Sequence, residues 1–465
     1  MRSGRVLARD AVHKEGDTVE LAGWVDARRD HGKIIFIDLR DRSGVMQVVF
    51  SPNISGASDL RLEYVIRARG VVKKRPPAMV NDKIPTGEYE LQASSLEILG
   101  KAGELPIPVT GDGYDVNEES RLKYRYLDLR RKRLKHNIEL RHRVTQFVRA
   151  HLSERGFIEI ETPLLTKSTP EGSRDFIVPS RLEPGKFYAL PQSPQQYKQL
   201  LMCAGFERYF QIARALRDED LRADRGFEHT QIDIEMSFVE QEDVMEAVEE
   251  LVISIFERFG KRILKKPLPK ISYEEALKTY GADKFDPREQ KDKDVVGLAW
   301  VKDFPVFVRD EKTGALTYSH NPFTAPKPED EEKLLKGKDL EKLVSLQYDL
   351  VCNGYEIGGG GIRVSKPEVL EKVFEVIGHK KADIQKQFGH MLEAFRYGAP
   401  PHGGIALGLD RIIMILTGEE SLREVVAFPM TSGGGTSVMD APSEVSKGQL
   451  DELGLEIKKA KKKHG

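Results

Sequence analysis

Two arginines stand where chemistry on phosphates or carboxylates could be done. RALRDEDLRADR, Arg214 to Arg225, runs directly into TQIDIE. Arg217 and Glu219 are two apart at what reads as the end of a strand, so both project from one face. An arginine there can grip a phosphate or carboxylate with two N–H groups, and a neighbouring glutamate can accept from an adenine amino group. Taken alone, the segment also reads as a surface hairpin of mixed charge. Arg411 lies in GGIALGLDRIIMIL, Gly403 to Leu416, where small residues give way to Asp410 and Arg411 at the head of an apolar helix. A helix start offers free N–H groups to an anion, and Arg411 adds a full charge. A glycine-rich turn with a capping aspartate is the bland alternative.

Two further segments add carboxylates and amides. In LVSLQYDLVCNGYEIGGGGIRV, Leu343 to Val364, Asp349 and Glu356 could hold magnesium, which takes one or two carboxylates with phosphate oxygens and water. Gly358 to Gly361 remove every side chain, so backbone can approach a ligand closely. The other reading is a flexible loop tip. KSTPEGSRDF, Lys167 to Phe176, reads as a mobile loop holding Glu171. In LPQSPQQYKQLL, Leu190 to Leu201, Ser193 and Gln195 precede a helix bearing Lys198. In isolation these are a polar loop and a helix cap.

The elements that must position these groups are legible in pattern. About five short β-branched or aromatic runs fill the first hundred residues, among them VELAGWVDARRD, KIIFIDLRD and VMQVVF. They predict a small OB-type barrel over residues 1–104. A charged stretch, 105–135, reads as a hinge. Leu140, Val144, Phe147, Val148, His151 and Leu152 recur at helical spacing, as do Val244, Val248, Leu251, Val252, Ile255, Phe256 and Phe259. In TQIDIEMSF, Ile232, Ile234, Met236 and Phe238 share one strand face, leaving Gln231, Asp233, Glu235 and Ser237 on the other. This is an α+β domain, 136–445, on an antiparallel sheet flanked by helices. An extension, 446–465, ends in a Lys-rich tail.

The chain of 465 residues, 39% hydrophobic and 32% charged, calls for two or three domains with a sizeable core. No apolar run is long enough to span a membrane. Two distant cysteines, Cys203 and Cys352, argue against a disulfide framework and for a reducing cytoplasm. A net charge of −1 hides asymmetry, with ten Lys or Arg against two acids from Arg121 to Arg143.

Together and in this order, the segments resemble the three signature motifs of class II aminoacyl-tRNA synthetases. GFIEIETPLLT, with Pro163, resembles motif 1; FQIARALRDEDLRADRGFEHTQIDIEMSF resembles motif 2; GLDR, Gly408 to Arg411, resembles motif 3. GWVDARRDHGKIIFIDLRDRSGVMQVVF, RLKYRYLDLRR, TPEGSRDF, LPQSPQQYKQLLM, SHNPFT, YEIGGGGIRV and APSEVS extend the likeness to the bacterial-type aspartyl enzymes. The resemblance implies a class II catalytic domain that activates L-aspartate with ATP and Mg2+ and charges tRNA-Asp. It also implies a homodimer built on motif 1, in the cytoplasm and without a membrane.

Carried over residue by residue, Lys198 and Arg363 would meet the ligand's side-chain carboxylate, with His320 nearby. Glu171, Ser193, Gln195 and Asp233 match the groups around its ammonium, and Gln231 belongs to the same aspartate site. Arg217 would grip the α-carboxylate and α-phosphate, Arg411 the γ-phosphate, and Glu219 adenine. Asp218, Glu356, Gly408, Leu409 and Asp410 complete the ATP set, and Asp349 with Glu356 the metal site. Phe36 and Gln47 match anticodon-reading positions, with Arg28, Arg29 and His31 beside them. His31 stands where relaxed bacterial enzymes often carry histidine, which points to tRNA-Asn as a second substrate. The sequence departs from the family in two places. The large insertion between motifs 2 and 3 is reduced to about Gly281–Val301. His229 replaces the usual adenine-stacking phenylalanine, leaving Phe227 or His229 for that task. The alternatives are an asparaginyl or lysyl enzyme, or a non-catalytic paralogue.

Overall fold

Alternation in the first hundred residues builds five strands: β1 (Thr18–His31), β2 (Ile34–Asp41), β3 (Gly44–Phe50), β4 (Val65–Lys74) and β5 (Tyr89–Gly100). They close into a barrel in the order β1-β2-β3-β5-β4, with β3 and β5 parallel and the other pairs antiparallel. Leu21, Val25, Ile37, Leu39, Val48 and Ile66 fill its interior. The computed structural model describes residues 4–32, 34–168 and 172–458 and divides into two units, Met1–Pro108 and Val109–Gly465.

The second unit begins inside the segment expected to be a hinge. Helices α1 (Glu118–Lys123) and α2 (Arg125–Asp128) occupy it, and Arg121, Arg125 and Arg131 are buried rather than solvated. Arg121, Arg125 and Arg131 converge on the fully buried Asp128, with contacts of 3.1, 2.9 and 2.7 Å. Arg121 and Arg133 also reach Glu424, at 2.6 and 2.8 Å. Buried charges must be paired, so much of the basic run is neutralised internally and 118–131 is packed structure.

Then follow α3 (Lys132–Glu154), β6 (Ile158–Glu159), α4 (Gln195–Cys203), β7 (Arg208–Leu216), β8 (Glu228–Ser237) and α5 (Gln241–Arg258). After these come β9 (Lys270–Ser272), α6 (Tyr273–Tyr280), β10 (Leu298–Lys302), β11 (Gln347–Cys352), β12 (Tyr355–Ile362), β13 (His402–Gly408) and α7 (Leu409–Thr417). Eight strands form one sheet in the order β9-β10-β11-β12-β13-β8-β7-β6. It is mixed rather than purely antiparallel, because β6 runs parallel to β7 and β9 parallel to β10. Each parallel pair is joined through intervening helical chain, as a parallel crossover requires.

The apolar stripes of α3, α5 and α7 pack with Ile232, Ile234 and Met236 of β8 into the main core. Phe238 leaves that face: β8 ends at Ser237, and Phe238 has φ 58° and is exposed. Gly358–Gly361 lie within β12 rather than at a loop tip; the turn is at Asn353–Gly354. The expected remnant 281–301 also shrinks, because Leu298–Lys302 is a buried strand of the central sheet. Residues 459–465, with most of the lysine tail, lie outside the described residues.

Candidate active site

On the sheet face opposite the main core, β8, β13 and β12 run side by side, with Asp233 level with Ala406 and Gly359, and Glu235 level with Gly404 and Gly361. Small residues on β12 and β13 make room for carboxylates. A Cβ on Gly404 would lie 2.2 Å from Glu235 Oε2, so glycine is required there. Of the glycines expected to let a ligand approach, Gly361 likewise makes room for the protein itself, since a Cβ there would lie 2.8 Å from Thr324.

Lys198 rises from α4 into this space. Its Nζ is 2.7 Å from Asp233 Oδ1 and 3.1 Å from Glu235 Oε2. Arg363, just beyond β12, donates to Glu235 through Nε (2.9 Å) and Nη2 (3.3 Å), and to Gly404 O (3.2 Å). All four side chains are buried. Burial opposes ionisation of Glu235, but Arg363 and Lys198 outweigh it and hold the carboxyl at about 2. Burial pushes Asp233 the other way, upward, against the pull of Lys198. The cluster is not saturated. Asp233 Oδ2 and Gln231 Nε2 are buried with no partner among the described residues. An ammonium has three N–H groups and Lys198 spends two on these carboxylates, so a third remains. A buried acceptor and an amide donor, two residues apart on one strand face, and a further lysine N–H can therefore take part in binding.

Beside the cluster opens a cavity of about 250 Å3, lined by Arg217, Glu219, His229, Gln231, Glu356 and Arg411 among others. Arg217 is steadied by donation from Nε to Gln192 O at 3.2 Å. Arg411 donates to Glu356 O at 2.5 Å and approaches Asp224 Oδ2 at 3.2 Å. Glu219 sits 3.6 Å from Arg225. The expected alternation holds here: Arg217 and Glu219 face the cavity, whereas Asp218 turns outward to Arg174 at 3.3 Å. His229 forms part of the wall. Phe227 does not, and packs instead edge-on against Phe176 with ring centroids 5.5 Å apart. Burial, reinforced by Arg217, Arg411 and Arg214, drops the His229 imidazole to about 3, so it is neutral at ordinary pH.

Several expected residues are used differently. Leu409 is core, 1% exposed, so its side chain cannot meet nucleotide. Asp410 lines the cavity, yet one oxygen accepts from Thr230 N (2.9 Å) and the other from Arg141, bracing the start of α7. His320 is placed on Asp349 rather than on Lys198 and Arg363, with Nε2 3.3 Å from Oδ2. Ser193 borders a neighbouring pocket of about 440 Å3 with Gln192 and Gln196. Gln195 donates to Gln199 Oε1 at 2.9 Å. Gln199 in turn meets His402 Nε2 at 3.0 Å, while His402 Nδ1 donates to Pro400 O. Glu171 lies outside the described residues. Glu235 was missed as a site residue, although the alternation that placed Asp233 placed it on the same face.

A family model described as tRNA synthetases class II (D, K and N) matches residues 117–432, and one described as OB-fold nucleic acid binding domain matches 19–99. An aspartate–tRNA ligase of Staphylococcus saprophyticus is 41% identical, with 95% of this chain and 97% of that protein aligned. The chain belongs to the aspartate–tRNA ligase family. An aspartate–tRNA(Asp/Asn) ligase of Thermodesulfovibrio yellowstonii is likewise 41% identical over the same shares. The first alignment runs over 570 positions against a 465-residue chain, so that relative carries a long stretch with no counterpart here. Among solved structures, the asparaginyl-tRNA synthetase of Pyrococcus horikoshii, complexed with asparaginyl-adenylate, matches the fold with a TM-score of 0.75. Its identity is 24%, and 93% of this chain and 99% of that one are covered.

In the ligase's barrel, Arg29, Phe36 and Val49 are cross-strand neighbours, as are Asp38 and Gln47. Arg29 Nη2 donates to Asp38 Oδ1 (2.7 Å) and Gln47 Oε1 (3.2 Å), and Gln47 Nε2 donates to Glu90 (2.9 Å). Phe36 is partly exposed and stands edge-on to His31 at 5.5 Å. Arg28 is not brought to this face. It pairs across with core-facing Ile37, and its guanidinium turns to Leu60 O and Asp30.

Proposed function

We propose that this protein activates L-aspartate with ATP and transfers the aspartyl group to the 3′ end of tRNA-Asp. The carrying observation is the buried Lys198–Asp233–Glu235–Arg363 cluster with its unfilled valences. A bound aspartate offers a side-chain carboxylate to Lys198 and Arg363, and an ammonium to Asp233 Oδ2. A lysine ligand would set its ammonium against both cations, and an asparagine amide would offer them no charge-assisted acceptor.

Arg217 then grips the α-carboxylate and the α-phosphate, Arg411 the γ-phosphate, and Glu219 the adenine amino group, with neutral His229 stacked on the base. The carboxylate attacks the α-phosphorus in line and pyrophosphate leaves, without a covalent enzyme intermediate. Positioning of this kind supplies up to ~7–11 kcal/mol, and the arginines stabilise the developing phosphate charge. The residues fit magnesium: Asp349 Oδ1 and Glu356 Oε1 converge over Gly359, where a Cβ would lie 3.1 and 3.4 Å from them, and both are hard oxygen donors. Magnesium, when bound, neutralises phosphate charge.

The barrel face with Phe36, Arg29 and Gln47 reads the anticodon by stacking and base-edge contacts. His31 on that face favours charging tRNA-Asn as well. Exposed Ile158, Leu164 and Leu165 in the segment resembling motif 1 support a homodimer. Two free cysteines suit the cytoplasm. ATP–pyrophosphate exchange with aspartate, asparagine and lysine in turn, followed by charging of purified tRNA-Asp and tRNA-Asn, tests the reading. Exchange driven by asparagine or lysine instead of aspartate would overturn it.

A further inference from the structure

The short connector after α6 reaches the active site. Tyr280 and Phe285 stack face to face, with centroids 3.9 Å apart and planes within 3°. Phe285 is buried, and its carbonyl accepts from Gly354 N at 3.0 Å. That bond pins the connector to the β11–β12 turn, whose strands carry Asp349 and Glu356. In the chain between these two residues, Lys284 places its Nζ 2.7 Å from Glu356 Oε2. The Asp283 carboxylate falls within 4.8 Å of the ligating atoms of His320 and Asp349.

Glu356 is thus divided between two tasks. Oε1 points over Gly359 beside Asp349, whereas Oε2 holds an ammonium. A full positive charge at that distance opposes a dication on the same carboxylate. The Lys284 side chain is 42% exposed, so it is free to swing off Glu356. Glu356 and Arg411 line the same cavity and Arg411 bonds the Glu356 carbonyl, so an ammonium on Glu356 Oε2 borders the space assigned to the phosphates.

We propose that Lys284 is a nucleotide-phosphate-binding residue, parked on Glu356 as the resident counter-ion until ATP and its metal arrive. This rests on the reading of Glu356 as a metal ligand. The connector that remains in place of the large insertion is then part of the catalytic centre rather than a spacer.

The full-length chain and its Lys284→Met, Lys284→Arg and Glu356→Gln variants are compared in two measurements. The first is binding of Mn2+ alone to nucleotide-free protein, read from the spin-resonance signal of free Mn2+. The second is the KM for ATP and for aspartate in pyrophosphate exchange at saturating magnesium. Lys284→Met is expected to bind Mn2+ about ten-fold more tightly, since a repelling charge is gone. Its KM for ATP should rise by a similar factor while that for aspartate stays. Lys284→Arg should restore both. A merely structural lysine would not move metal and nucleotide in opposite directions. Unchanged or weaker Mn2+ binding in Lys284→Met, with Glu356→Gln weakened, overturns the role of Lys284 alone. Wild-type Mn2+ binding in Glu356→Gln removes Glu356 as a ligand, and this inference falls with it.

Discussion

Arg363 and Glu235 form a two-point pair, Nε to Oε1 at 2.9 Å and Nη2 to Oε2 at 3.3 Å, with both side chains at most 3% exposed. A cation assigned to the substrate's carboxylate therefore also holds the protein's own carboxylate in place. Under the proposed reading, substrate recognition and local stability share these atoms, and variants must be read for both.

Arg363→Leu should accordingly lose aspartate selectivity and stability together. Removing one partner of a buried pair costs ~3–5 kcal/mol, whereas replacing both by apolar groups is often close to neutral. The double variant Arg363→Leu with Glu235→Leu should regain much of the stability and none of the aspartate-dependent exchange. Denaturant unfolding and exchange on the same preparations check this. A double variant as unstable as the single would show that the pair is not what the leucine breaks.

The pH dependence follows from Glu235. Its folded value is depressed from 4.5 to about 2 by Arg363 and Lys198 acting against burial. A depressed carboxylate contributes stability that is complete above its unfolded value and lost as pH falls through the folded one. Wild type should therefore shed stability relative to Glu235→Gln between about pH 4.5 and 2. Unfolding free energies across that window measure it; a constant gap between the two proteins would contradict the assignment.

How far the sequence reached depended on whether a residue's role was set by local pattern. The alternation in TQIDIEMSF placed Gln231, Asp233 and Glu235 on one face, and the Arg217–Glu219 spacing put both on the cavity wall. What pattern could not carry was which acid takes which cation. That choice comes from Gly404 of β13 admitting Glu235 and from α4 delivering Lys198 across 35 residues of chain. Leu409 and Asp410 directly precede Arg411, yet helical geometry turns one into the core and the other onto Thr230 and Arg141. Arg28 was grouped with Arg29 by adjacency, but neighbours on a strand face opposite ways. The Lys284–Glu356 contact spans a connector of no recognisable pattern.

His229 and Phe227 can be separated kinetically. Base stacking on a side chain is worth ~1–3 kcal/mol, so His229→Ala should raise the KM for ATP by roughly five- to a hundred-fold. Phe227→Ala loses a contact with Phe176 and should leave that KM nearly unchanged. His229→Phe should retain ATP affinity, because a neutral aromatic ring is kept. Reversal of the two alanine results would move adenine onto Phe227.

Arg217→Ala and Arg411→Ala should each abolish exchange. Loss of a group facing developing phosphate charge costs several kcal/mol, ~3–4 in comparable sites. Neither side chain belongs to the buried core, so the oligomeric state by light scattering should match wild type. Near-normal exchange in either variant would rule out the phosphate roles.

The barrel offers a separation of the two reaction steps. Phe36 is partly exposed and stands outside the apolar interior formed by Ile37, Leu39 and their neighbours. Truncating it should therefore cost the barrel little stability, unlike a core phenylalanine, whose removal costs ~3–5 kcal/mol. A ring that stacks on an anticodon base contributes instead to tRNA affinity, by ~1–3 kcal/mol per base. Phe36→Ala should leave aspartate-dependent pyrophosphate exchange at the wild-type rate, because no tRNA takes part in it. Charging of tRNA-Asp should lose roughly five- to a hundred-fold in kcat/KM. Phosphate contacts dominate salt-dependent affinity, and stacking carries no charge, so the dependence of charging on salt should keep its wild-type slope. Arg29→Ala, which removes a cation from the same face, should flatten that slope while also releasing Asp38 and Gln47. If Phe36→Ala charged tRNA normally, or if exchange fell in step with charging, Phe36 would belong to the barrel's packing and the anticodon face would have to be sought elsewhere.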